Sequence, residues 1–167
     1  MSNHIFQSIS NLLDKYQTRD PFEVLDALHA SVRETDKYDE LKGFCYVSRH
    51  RAYILINAAL DDVSKAIVAA HELGHLLLHT KELQGQVLFD NTLYNTSVRT
   101  EYEANIFAAD FLLSDEDVIA HCNDASPDVF SMARAMHTQP ELLNLKILSM
   151  KKRGYEIRVP LPINNLF

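Results

Sequence analysis

Apolar residues at Ile5, Ile9, Leu12, Leu13 and Tyr16 recur at helical spacing and predict a first amphipathic helix. Asp20-Pro21-Phe22-Glu23 then supplies an N-cap, a proline at the first helical position and an acid placed to return the capping bond, so a second helix should run to about His29. Residues 31–35 and 44–56 read as extended. In the latter, FCYVS and AYILIN flank Arg49-His50-Arg51, the pattern of a β-hairpin. Behind Asp61-Asp62, the run from Val63 to His79 carries apolar side chains at almost every angle, which predicts a helix buried on most sides. Residues 81–97 are polar and mixed, with one edge strand expected at Gln86–Phe89, before a helical pattern runs from Val98 to near Leu113. Ser114-Asp115-Glu116-Asp117 caps a further short helix, Ser126-Pro127-Asp128 starts the next, and Pro140-Glu141 opens a last one that stops at Gly154. The expected fold class is α+β. It has a small antiparallel-rich sheet and N-terminal helices over 1–60, a buried central helix and its partner over 61–113, and a mainly helical C-terminal part over 114–167, in one domain.

Composition narrows the class. With 47% hydrophobic and 23% charged residues and only 4 Gly and 5 Pro in 167, the chain is globular and neither low-complexity nor fibrous. A net charge of −7 argues against direct nucleic-acid binding as its main work. Two cysteines, Cys45 and Cys122, make neither a disulfide framework nor a sulfur-based metal site. No run approaches the roughly 18 apolar residues of a membrane span, and the first residues lack the pattern of a secretory signal, so a cytoplasmic location is expected.

The eight histidines are the unusual feature of this composition, and three of them, His71, His75 and His79, stand at four-residue intervals. Ala70-His71-Glu72-Leu73-Gly74-His75 contains the HExxH pattern. At about 100° and 1.5 Å per residue, His71 and His75 lie about 40° and one turn apart, so both imidazoles can reach one zinc ion. Glu72, about 100° round from His71, falls beside such an ion, where a carboxylate can take a proton from water. The plain alternative is a pair of helix-surface histidines. Against it, two imidazoles and a carboxylate buried in an apolar helix are costly unless a metal or hydrogen bonds satisfy them.

A catalytic zinc usually has three protein ligands and one open position, and His79, Glu101 and Glu103 are the candidates for the third. His79 sits about 12 Å along the axis from His71, too far for one straight helix to bring all three onto one ion. On the later helix, with Val98 at 0°, Glu103 falls at about 140° beside Arg99 and Asp110, on an arc that reads as solvent-facing. Glu101 falls at about 300° and Asn105 at about 340°, among Ala108, Leu112 and Ala109, on the arc that reads as buried. Glu101 is therefore the expected third ligand, and Asn105, one turn on, can orient Glu101 or a ligating histidine. The competing view of Glu101 is a buried acid paired with Arg99 or another base. Tyr94, Tyr102 and His79 are candidates, unranked, for stabilising an oxyanion.

Ala70 to His79, followed after a spacer by Glu101-Tyr102-Glu103-Ala104-Asn105-Ile106-Phe107-Ala108-Ala109 and preceded by Ile54-Leu55-Ile56-Asn57, resembles the ImmA/IrrE family of metallopeptidases over about residues 20–115. The resemblance implies a gluzincin-like core related to thermolysin, with His71, His75 and Glu101 on zinc and Glu72 in catalysis. It also implies a protein substrate, typically a helix-turn-helix repressor of a mobile element or stress regulon, whose cleavage relieves repression. One departure is visible: where the family commonly continues Leu-Leu-Met-Pro, this chain has Phe111-Leu112-Leu113-Ser114-Asp115.

Two other readings compete. Lys146, Lys151, Lys152, Arg153 and Arg158 lie near a helix-break-helix pattern at Thr138-Gln139-Pro140, which would suit DNA binding. Cations gathered at a helix C-terminus fit the acidic total better. The second is a non-catalytic, antitoxin-like module that binds a partner without cutting it, a role that would not require Glu72.

Overall fold

The computed structural model describes residues 2–37, 41–49, 51–80, 87–90, 99–122 and 128–159. Its elements in chain order are α1 (Ser2–Tyr16), α2 (Pro21–Ala27), β1 (Ser31–Thr35), β2 (Gly43–Ser48), β3 (Arg51–Asn57), α3 (Asp62–Leu78), β4 (Val87–Asp90), α4 (Arg99–Leu112), α5 (Asp115–Cys122), α6 (Val129–Ala135) and α7 (Pro140–Lys152). The chain is an α+β protein. Its four-stranded sheet has the order β1-β3-β2-β4; β1 runs parallel to β3, and the other two neighbours are antiparallel. The expected edge strand is β4, shifted to begin at Val87; Gln86, His50, Tyr94 and Val98 lie outside the described residues.

Local chemistry sets the helix ends. Asp20 accepts from the Phe22 N–H at 2.8 Å, with Pro21 at the first helical position. The return bond expected from Glu23 is replaced: the Asp20 N–H donates to the Thr18 hydroxyl at 3.1 Å. Asp61 caps α3 by accepting from the Ser64 N–H at 2.8 Å. The Ser114 hydroxyl accepts from the Asp117 N–H at 3.0 Å and so caps α5. Gly154, at φ +96°, supplies the left-handed turn that ends the α7 segment.

The layering explains why α3 is apolar all round. One face of α3 packs on β2 and β3, where strand alternation turns Gly43, Cys45, Ile54 and Ile56 inward, and another packs on α4. Helix α4 is in turn covered by α7 and α1. Buried residues from all these layers form one contiguous cluster, with Leu73, Phe107, Phe111, Leu143 and Ile147 among its fully enclosed members. No described helix is long and apolar enough to cross a membrane.

Enclosure on both sides overturns one expectation. The arc of α4 read as solvent-facing is buried at Glu103 and Asp110, whereas Glu101, read as the buried acid, is only partly covered. A helical wheel gives angles without saying which arcs are covered; here α7 lies against Asp110, and pairing makes its burial tolerable. Asp110 Oδ1 accepts from Lys146 Nζ at 2.9 Å and Oδ2 from the Ser149 hydroxyl at 2.6 Å. Lys146, counted above among possible surface cations, is thus 2% exposed and also pairs with Asp115 at 2.6 Å. Arg153 joins the same network through Asp115, at 2.5 and 2.7 Å. These two cations serve the joint between α4, α5 and α7, so neither the DNA-binding nor the simple helix-end view describes them.

Candidate metal centre

Helix α3 carries His71, Glu72 and His75 at 1% exposure each, in the stretch held between sheet and α4. One turn separates the imidazoles, and their Nε2 atoms converge to 2.9 Å. Helix α4 crosses close beside them because Gly74 has no side chain. A Cβ there would stand 3.1 Å from Phe107 Cδ1 and 3.2 Å from the Ala104 Cα. That close approach brings in Glu101, whose Oε1 lies 3.3 Å from His75 Nε2 and whose Oε2 lies 3.4 Å from His71 Nε2. Among the described residues, these three bring donor atoms of metal-binding type within 4.8 Å of one another.

The spacing has a chemical meaning. Four donors placed tetrahedrally at about 2.0–2.1 Å from an ion stand about 3.3–3.4 Å apart. The two Glu101 contacts, one from each carboxylate oxygen, fall in that range and the Nε2–Nε2 separation of 2.9 Å is shorter, so the three side chains stand as close together as ligands of one ion. The donor set, two imidazoles and a carboxylate, suits a divalent cation.

Protonation favours the same use. Burial pushes the His75 imidazole below its ordinary pKa, which leaves the neutral, ligating form at neutral pH. At Glu101 burial works against ionisation, but the adjacent His71 and His75 outweigh it and hold the carboxyl well below the usual carboxylate range. Asn105 Oδ1 stands 2.9 Å from His71 Nδ1. With the proton on Nδ1 the ring donates to the amide oxygen, and the Nε2 lone pair is turned toward the other donors. Of the two partners open to Asn105 on sequence, the structure pairs it with the histidine.

Glu72 points to the sheet side of α3. Gly43 on β2 makes room for it: a Cβ at that position would collide with Val68 and stand 3.3 Å from Glu72 Oε1. Two residues on, and on the same face of the strand, the buried thiol of Cys45 lies near Glu72; burial first, then the Glu72 charge, push that thiol's pKa far up. Neither residue stood out in the sequence. A glycine opening a β-rich strand was the available signal, and Cys45 had been set aside because two cysteines make no metal site.

The remaining candidates are also placed. His79 caps α3, its ring 5.7 Å from that of His75, and its Nε2 lies 3.6 Å from Glu103 Oε2, away from the three converging donors. Arg99, one proposed partner for a buried acid, pairs with Glu103 at 2.9 Å and not with Glu101. The Tyr102 hydroxyl accepts from Lys152 Nζ at 2.5 Å.

An HExxH helix whose two histidines meet a glutamate from the next long helix is the arrangement of a metallopeptidase centre. The model of the peptidase M78 family, described as the IrrE N-terminal-like domain, matches residues 26–147, and the chain belongs to that family. On the C-terminal side the match runs past the 20–115 stretch in which the motifs lie and takes in α5, α6 and α7 as far as residue 147. The chain is also 30% identical, over 145 residues covering 87% of it and 90% of the relative, to an uncharacterised immunity region protein 2 of Bacillus phage phi105.

Proposed function

We propose that the chain is a single-domain, thermolysin-like zinc endopeptidase that acts in the cytoplasm on a helix-turn-helix transcriptional repressor and so relieves repression. The observation that carries this reading is the convergence of donor atoms of His71, His75 and Glu101 within 4.8 Å of one another, next to the buried carboxylate of Glu72. The immunity-region relative supports the regulatory setting.

In this mechanism His71, His75 and Glu101 hold the zinc, and Asn105 fixes the His71 ring. When bound, zinc supplies Lewis acidity to a water molecule and to the scissile carbonyl. Glu72 is the general base: it takes the proton of the attacking water at a carboxylate oxygen and passes it to the leaving amine. Cys45 and Gly43 define the wall against which that carboxylate rests.

Purified protein should contain about one zinc per chain, lost in His71→Ala. The repressor encoded beside its gene should be cleaved by the wild type and left whole by Glu72→Gln, which keeps its zinc. A wild type without zinc, or cleavage that survives Glu72→Gln, would sink the proposal. A stable, uncut complex formed alike by wild type and Glu72→Gln would favour the non-catalytic module.

A further inference from the structure

The hydrolysis just described leaves His79 and Glu103 without a task, yet both are nearly as buried as the proposed ligands. Glu103 Oε1 is taken by Arg99 Nε at 2.9 Å, and Oε2 faces His79 Nε2 at 3.6 Å. No described residue hydrogen bonds His79 Nε2, so Glu103 is the charged group it meets. The two residues belong to the two helices that carry the proposed ligands. Glu103 follows Glu101 by two positions, and His79 follows His75 by four.

The angles matter. On α4, Asn105 is about 40° round from Glu101, so the contacts that both make to α3 lie on one narrow arc. Packing on α1 and α7 and the bonds that Asp110 accepts from Lys146 and Ser149 set the rotation of α4 further along, whereas in its first turn contacts along one arc leave Glu101 free to swing about the axis. Glu103 is about 200° round from Glu101, so its contact with His79 resists that swing. A roll of about 20° moves an atom about 5–6 Å from the axis by about 2 Å. Metal–ligand bonds tolerate about 0.2 Å.

We propose that His79 and Glu103 form a positioning pair that fixes the rotation of the first turn of α4 and thereby holds Glu101 at the metal. The proposal rests on the reading of His71, His75 and Glu101 as a metal site. It makes the pair a determinant of metal affinity and gives the third histidine of the series a role without placing it on the ion.

The test needs no substrate. Metal-free protein is titrated with Co²⁺, followed by its visible absorption as a tetrahedral complex, and with Zn²⁺ in competition with a chromophoric chelator. His79→Phe and Glu103→Gln should each raise the Kd about 10–100-fold, the effect usual for groups that orient ligands. The double variant should be no weaker than the singles. His79→Gln, which keeps a polar donor facing Glu103, should recover most of the affinity, which a merely space-filling role would not require. If His79→Phe does not fold, Glu103→Gln and the His79→Gln comparison carry the same expectation. Wild-type affinity and spectrum in His79→Phe or Glu103→Gln would overturn the pair's role while leaving the metal site standing. A wild type that binds neither ion would overturn both.

Discussion

Gly74→Ala sets two opposed effects against each other at the point where α3 and α4 come closest. In a helix interior, replacing glycine by alanine should stabilise by about 1 kcal/mol, because the backbone loses less freedom on folding. The added methyl would meet Phe107 Cδ1 at 3.1 Å and both Phe107 Cβ and the Ala104 Cα at 3.2 Å. Phe107 is fully buried and stacked on Phe111, and the Ala104 atom is backbone, so relief requires α4 itself to shift. Overpacking of this kind costs about 1–3 kcal/mol. With about 2 kcal/mol for the crowding, the net loss is about 1 kcal/mol, or about 2–4 °C in Tm for a chain of this size. The more telling effect is on the site: a shift of a few tenths of an ångström exceeds what metal coordination absorbs. Thermal unfolding with and without zinc, beside a chelator competition assay, measures both. The expected result is a small loss for the metal-free protein and a larger one with zinc present. A variant about 1 kcal/mol more stable than wild type, with undiminished zinc affinity, would show that the contact between these helices does not set the site.

Other expectations follow from the same geometry. Lys146→Met should destabilise by about 3 kcal/mol in urea unfolding, the low end for breaking a buried pair, since Asp110 keeps Arg153 and Ser149; a loss under about 1 kcal/mol would contradict its burial. Burial works against ionisation of Asp115, but hydrogen bonds from Arg153 and Lys146 hold its carboxyl well below the usual range. Its folded pKa is depressed, so the stability it contributes is complete above the ordinary value near 3.9 and is lost as the pH falls through that value and below. Asp115→Asn should flatten the acid limb of a stability–pH curve, and an unchanged limb would count against the pairing. Gly43→Ala should lower cleavage more than zinc content, because the new methyl presses on Val68 and Glu72 and not on the ligands; equal loss of both would mean that the strand shapes the metal site as well. In the native protein Cys45 should resist thiol reagents that reach the partly exposed Cys122, and equal rates would refute its burial.

Much of this was legible because its signals are local. The spacing of His71 and His75, the caps at Asp20, Asp61 and Ser114, and the β-rich runs around Arg49 each depend on a few neighbouring residues, and each element formed close to its expected place. Glu101 was reached by a wheel whose premise failed: the acid beside the histidines is the partly covered one, and Glu103 and Asp110 are enclosed. Which arc of a helix is buried depends on what packs there, and α7 arrives from about forty residues away in sequence. For the same reason Lys146 looked like a surface cation until its partners on α4 and α5 were known. Cys45 is near Glu72 only because the sheet brings β2 under α3, a contact that no periodicity announces.

The joint built from Asp110, Asp115, Lys146 and Arg153 bears on how such a protein can be recombined. Ser114-Asp115 stands where the resemblance led one to expect Met-Pro, and Asp115, like Asp110, is held by both Lys146 and Arg153. The helix exit and the cations of α7 are therefore one structural unit in this chain. A chimera whose residues 114–167 came from a relative without a cation at position 146 would bury Asp110 without its lysine. Exchanged together with its partner residue on α4, the same segment should be accepted, so the natural seam for grafting lies before α4 and not after it.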